Sequence, residues 1–164
     1  MPEYFDVVDE KDNVIGRATR GECHKNRELI HRGIHVLIFN SDGDVLLQKR
    51  SRKVDLYPGK WTVSVAGHVG SGEDYMETAK REMEEEIGIE TEIEPVSKFL
   101  FSGEKERETI RLFKGVSDGP FRRQPEEVDD VRFFSPEEIK KMLRESPESF
   151  SPDCFIALNK YFKG

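Results

Sequence analysis

Glu82, Glu85 and Glu86 stand at positions i, i+3 and i+4 of a segment, 73–88, whose pattern and end signals are helical. That spacing stacks three carboxylates on one face, where each like-charge pair costs roughly 0.2–0.5 kcal/mol in an isolated helix. Between Glu73 and Glu94 ten residues are acidic and only Lys80 and Arg81 are basic, so this window is more negative than the whole chain with its net charge of −7. A helix needing only solubility would alternate glutamate with lysine. The economical explanation is a counter-cation brought to that face. An all-oxygen carboxylate site suits a hard ion such as Mg²⁺ or Mn²⁺.

A length of 164 residues suits one domain, 1–164, able to bury roughly two-thirds of its unfolded surface without disulfides or a structural metal. The 11 Phe, 4 Tyr and 1 Trp argue against disorder. Cys23 and Cys154 have no Cys-x-x-Cys companion, so neither a zinc ribbon nor a disulfide framework is implied. The N-terminus has no basic stretch followed by an apolar one, and no apolar run approaches the roughly 18 residues of a membrane span. The expectation is a cytoplasmic protein with reduced thiols and no membrane partner. A pI near 5.3 disfavours nucleic acid as a partner. Monomer and homodimer both stay open.

Short β-prone segments at 4–8 and 13–18 flank Glu10-Lys-Asp-Asn13 and predict a small hairpin, followed by a helical turn near 19–27. Residues 33–39 and 44–50 predict strands about Asn40-Ser-Asp-Gly43, and Trp61–Ala66 alternates as a further strand. Ser71-Gly-Glu-Asp74 has the spacing of a capping box for the acidic helix, with Gly88 as its C-terminal cap. Strands are expected at 92–101, 109–117 and 128–134, then helices opened by Ser135-Pro136 and Ser151-Pro152. Strands, helix, strands, helices is an α+β order, a mixed β-sheet with helices packed on it.

With its flanks the acidic segment reads Gly67, five residues, Glu73, seven residues, then Arg81-Glu82-Met83-Glu84-Glu85-Glu86-Ile87-Gly88-Ile89. This resembles the Nudix box, Gly-x5-Glu-x7-Arg-Glu-U-x-Glu-Glu-x-Gly-U with U apolar, at every fixed position over 67–89. The resemblance implies the Nudix fold, a sheet sandwiched between helices, here with a short N-terminal hairpin extension over 1–30. It also implies Mg²⁺- or Mn²⁺-dependent hydrolysis of a diphosphate bond in a nucleoside diphosphate linked to another group. Glu82, Glu85 and Glu86 are then the metal ligands, joined by the backbone carbonyl of Ala66. Glu73 and Arg81 are expected to pair and, with Gly67 and Gly88, to brace the loop and helix. The general base is one of the box glutamates or a later carboxylate, Glu106 or Glu108.

A second set points to a neighbouring branch of that superfamily. His24 and His31, seven apart, with His68, Glu106 and Glu108, fall where isopentenyl diphosphate isomerases hold a metal, and Phe39-Asn40, Pro58-Gly59, Trp61-Thr62 and Phe150-Ser-Pro152 match as well. Three imidazoles and two carboxylates would suit Zn²⁺, Mn²⁺ or Fe²⁺. The isomerase's catalytic Cys, however, falls on Ala66, its Asn on Val63, its diphosphate-holding Arg on Glu82 and its Trp on Asp153. The reading is a hydrolase from a subgroup related to the isomerases. Its alternatives are an isomerase-like enzyme and a non-catalytic nucleotide- or diphosphate-binding module, for which broken box positions would be expected. Arg50 and Lys53 are candidate grips for substrate phosphate, and Arg122-Arg123 weaker ones. Trp61, Phe99 and Phe101 are aromatics for stacking or for the core.

Overall fold

The computed structural model describes residues 2–163. Its elements are β1 (Tyr4–Val8), β2 (Val14–Thr19), α1 (Arg20–Lys25), β3 (Ile30–Phe39), β4 (Val45–Arg50), β5 (Trp61–Thr62), β6 (Val65–His68), α2 (Tyr75–Ile87), β7 (Ile93–Ser102), β8 (Arg107–Val116), β9 (Val128–Phe134), α3 (Pro136–Glu145), a 3₁₀ turn at Pro147–Ser149, and α4 (Pro152–Lys163). Nine strands form one mixed sheet. Its spine is β3, which runs parallel to β8 over ten residue pairs from Ile30↔Arg107 to Phe39↔Val116 and antiparallel to β6 from Gly33↔His68 to Val36↔Val65.

Period-2 alternation along β3 sorts its side chains between two layers. Ile34, Val36 and Ile38 face Ala79, Met83 and Ile87 of α2. Leu37, on the other face, packs with Ile139 and Leu143 of α3 and Ala157 and Leu158 of α4. The sheet is therefore covered on both sides, which is the α+β sandwich expected of the sequence. Further along that second face, β3 carries His31, Gly33 and His35 in place of aliphatic residues.

Two local readings are corrected. The expected single strand Trp61–Ala66 is two strands: Thr62 pairs with Gln48 of β4, whereas Val65 and Ala66 cross over to β3. The cause lies in β3 and β4, which pair only at Ile38↔Leu46 and Phe39↔Val45 and then separate. Ser64 fills the gap, its hydroxyl accepting from Ile38 N at 2.8 Å and donating to the Leu46 carbonyl. The cap of α2 is Asp74, which accepts from Glu77 N at 2.8 Å, while Ser71 instead donates to Asp6 at 2.8 Å. Gly72, at φ +84°, turns the chain between them. Gly88 closes the helix at φ 69°.

The N-terminal hairpin is fastened by Asp12, itself at φ 66°. Its carboxylate accepts from Arg32 of β3 at 2.7 Å, Tyr75 of α2 at 2.8 Å and Lys98 of β7 at 3.0 Å. No helix among the described residues is long and apolar enough to cross a membrane.

Candidate functional site

The box segment wraps α2 against the end of β6. A Cβ on Gly67 would lie 2.7 Å from Glu82 Cδ, so only glycine lets that carboxylate rest on the strand backbone. Arg81 holds both oxygens of Glu73, at 3.2 and 3.3 Å, and reaches Glu82 at 3.0 Å and Glu85 at 3.3 Å. Glu73 also accepts from Gly70 N at 2.9 Å, which ties the loop to the helix. Glu86 is buried; its Oε1 accepts from Gln48 Nε2 at 2.7 Å and from Ala66 N at 3.4 Å.

Burial pushes the Glu86 carboxyl well above its ordinary range, and the neighbouring Glu82 adds to this against the opposing pull of Gln48 and Ala66 N. Burial raises Glu82 too, further helped by Glu85, and the opposing contacts with Glu86 and Arg81 do not cancel it. Two carboxyls in contact and short of solvent ionise together only when a cation neutralises them. Oxygen donors from Glu82, Glu85 and Glu86 at one helix face therefore fit a hard divalent ion.

The histidine cluster is assembled from four parts of the chain. His24 comes from α1, His31 from β3, His68 from the end of β6, Glu106 from the residue just before β8 and Glu108 from its start. Glu106 Oε2 lies 2.9 Å from His24 Nε2, 3.1 Å from His31 Nε2 and 3.7 Å from His68 Nε2. One carboxylate oxygen cannot accept well along three such directions, and among the described residues His24 Nε2 is left without a hydrogen bond. Ligand atoms of His24, His31, His68 and Glu106 all fall within 4.8 Å of one another, a donor set that fits a transition metal. Glu108 sits beside them, its Oε2 3.3 Å from His31 Nδ1 and 3.3 Å from His68 Nε2. Burial works against a charged His68, but Glu106 and Glu108 override it and push it up to about 10. Burial likewise opposes ionisation of Glu106, and the three imidazoles hold it far below the carboxylate range. Phe5 of the hairpin covers the group, 5.2 Å from the His31 ring and 5.1 Å from that of His68.

Both groups open into one cleft of about 890 Å³, which Arg50 and Lys53 also line. Arg50 is steadied by the Leu56 carbonyl at 2.7 Å. The other candidates lie elsewhere. Arg122 reaches the Glu84 carbonyl at the end of α2, Arg123 holds the carbonyls of Val128 and Asp129, and Phe99 and Phe101 are core. Trp61 packs edge-on against Phe134 beside a separate surface groove.

Gln48, Gly33 and His35 escaped the sequence reading, and Asp153 entered it only as the position of the isomerase's Trp. Gln48 ends an apolar strand run, which was the available signal that it serves Glu86. Gly33 makes room for Glu108, since a Cβ there would lie 2.4 Å from Glu108 Oε1; no local pattern announces this. His35, between two aliphatics, pairs with Asp153 at 3.0 Å.

A sandwiched mixed sheet with a complete box on the helix beside β6 defines the Nudix class of fold. The family model of the NUDIX domain matches residues 29–154. The chain belongs to that family. It is 40% identical over 158 residues to an "Uncharacterized Nudix hydrolase" of Yersinia pestis, covering 96% of this chain and 84% of that one. It is 31% identical over 156 residues to an isopentenyl-diphosphate Delta-isomerase of Serratia proteamaculans, covering 92% and 87%. The crystal structure of DR0079 from Deinococcus radiodurans shares the fold, with a TM-score of 0.83 at 24% identity over 96% of this chain and 98% of that one.

Proposed function

We propose that this chain is a divalent-metal-dependent hydrolase that cleaves a diphosphate bond in a nucleoside diphosphate linked to another group. The observation that carries the reading is the convergence of an unbroken box, three carboxylates on one face of α2, with the cationic side chains of Arg50 and Lys53 in one cleft. Mg²⁺ or Mn²⁺, held by Glu82, Glu85, Glu86 and the Ala66 carbonyl, would supply charge neutralisation of the diphosphate and acidify a bound water. Arg50 and Lys53 hold the phosphate oxygens. Arg81 and Glu73 fix the helix against its loop, so that the three carboxylates keep one geometry. The base that takes the proton from water is a box glutamate, because Glu106 and Glu108 are buried and turned to imidazoles. His24, His31, His68 and Glu106 would hold a second, transition metal, with Glu108 beside them orienting His31 and His68.

The second reading, an isomerase, is favoured by that cluster and by the Serratia relative. Against it, Ala66 has no proton to donate or accept, Val63 is wholly buried and apolar, and Asp153 is engaged with His35. Incubation of the pure protein in Mg²⁺ or Mn²⁺ with nucleoside di- and triphosphates, nucleotide sugars, dinucleotides and prenyl diphosphates tests both. Hydrolysis of at least one is expected. Exchange of solvent label into isopentenyl diphosphate would overturn the hydrolase reading.

A further inference from the structure

His35 and Asp153 are used by neither metal group, although both line the cleft that holds the box glutamates. His35 lies in mid-β3, directly across the ladder from Ala66, and is 1% exposed. Cross-strand partners share a face, so the His35 ring projects beside the position where β6 enters the box. Its Nε2 is 3.0 Å from Asp153 Oδ2. Asp153 occupies the second position of α4, just after Ser151, which is also 1% exposed and also lines the cleft.

Among the described residues, His35 Nδ1, Ser151 Oγ and Asp153 Oδ1 are all buried without a hydrogen-bond partner. Native interiors seldom leave several polar atoms unpaired side by side, and replacing a hydrogen-bonded pair by apolar groups of similar shape is close to neutral. Stability alone therefore gives no reason for this pair. Burial opposes ionisation of Asp153, but His35 outweighs it, with the Ser151 hydroxyl and Arg50 assisting, so the carboxyl is held below its usual range. A ligand hydroxyl can donate to the Asp153 carboxylate and can either donate to or accept from the His35 ring nitrogen and the Ser151 hydroxyl. The wall thus presents a carboxylate oxygen, an imidazole nitrogen and a hydroxyl. Neutral donors match it better than a cation, because Arg50 stands close by.

We propose that His35, Ser151 and Asp153 bind a hydroxyl-bearing group, a ribose or other sugar, attached to the diphosphate, and select against apolar tails. This rests on the diphosphate reading above and assigns residues to the sugar side of the bond, to which that reading assigns none.

Calorimetric titration in Mg²⁺ with α,β-methylene-ADP, its 2′,3′-dideoxy counterpart and methylenediphosphonate tests it on wild type, Asp153→Asn and Asp153→Leu. Wild type is expected to prefer the ribose form by at least about tenfold, the size of one good hydrogen bond to a charged group. Asp153→Leu should reduce that preference to within about twofold, with Asp153→Asn in between and methylenediphosphonate binding alike in all three. A ribose preference that is absent in wild type, or unchanged in Asp153→Leu, overturns the proposal. Should Asp153→Leu fail to fold, the isosteric Asp153→Asn decides, and an undiminished preference there is equally fatal. Loss of methylenediphosphonate binding alone sinks the diphosphate reading and leaves the ribose comparison intact. If none of the three binds, both readings fall.

Discussion

At the scale of single residues, the site depends as much on missing atoms as on charged ones. Gly67 lets the Glu82 carboxylate rest on β6, and a Cβ there would stand 2.7 Å from its Cδ. Gly67→Ala should push Glu82 off its position while Glu85 and Glu86 stay put. The expected outcome is a clear loss of kcat on the best substrate, with a far-UV circular dichroism spectrum like that of wild type. Wild-type kcat in this variant would mean that Glu82's position does not matter. Glu85→Gln and Glu86→Gln remove charge at nearly constant shape. Each should lower kcat on the order of 10²-fold or more, as loss of one preorganised electrostatic contact does elsewhere. Near wild-type rates in both would show that the active carboxylates lie elsewhere. The charge pattern exposed these glutamates in the sequence. Gln48 was harder to read, because its task is set by Ser64 and Glu86, which are 16 and 38 residues away.

Elements were legible where a local signal decides them. Thr19, Ser135 and Gly88 each cap a helix through contacts with residues three or four positions away, and such contacts are written in the local sequence. The strand expected at Trp61–Ala66 was misread because its break depends on the distant parting of β3 and β4, which alternation inside the segment cannot report. The N-terminal hairpin carries the same lesson, since its anchor Asp12 binds partners on β3, α2 and β7. Burial pushes the Asp12 carboxyl up, but hydrogen bonds from Arg32, Lys98 and Tyr75 outweigh this and leave it below its ordinary value. A carboxyl lowered on folding stabilises fully above the unfolded pKa of about 3.9, and that contribution disappears as pH falls through the folded value. Asp12→Ala should cost about 1.5–3 kcal/mol at neutral pH, the range for hydrogen bonds to a charged group. In a chain of this length that is a drop in Tm of roughly 5–10 °C. The gap between variant and wild type should narrow in acid below the usual carboxylate range. A gap that stays constant from neutral pH down through that range would show that the Asp12 charge contributes nothing.

The whole molecule brings together what the sequence only lists. The pattern of His24, His31, His68, Glu106 and Glu108 was visible in the chain, but their meeting depends on the parallel register that sets His31 opposite Glu108 and the antiparallel one that sets Gly33 opposite His68. His35 and Asp153, 118 residues apart, carried no such pattern and became visible only when α4 closed over the sheet. The cluster also links the N-terminal extension to the sheet, because α1 contributes His24 and β1 contributes the covering Phe5. A metal bound there would be bound by the folded state alone, and a ligand at a hundred times its Kd adds about 2.7 kcal/mol. Protein purified without chelator or affinity tag should therefore contain Zn, Mn or Fe, and the His24→Ala/His31→Ala double variant should contain little. Adding a chelator should lower the wild-type Tm by roughly 5–10 °C and leave that of the double variant where it is. Comparing each protein with and without chelator removes the cost of cutting His31 out of the core. Equal and negligible metal in both proteins, with no chelator effect on either, would refute the second site and reduce the cluster to a buried polar contact between the extension and the sheet.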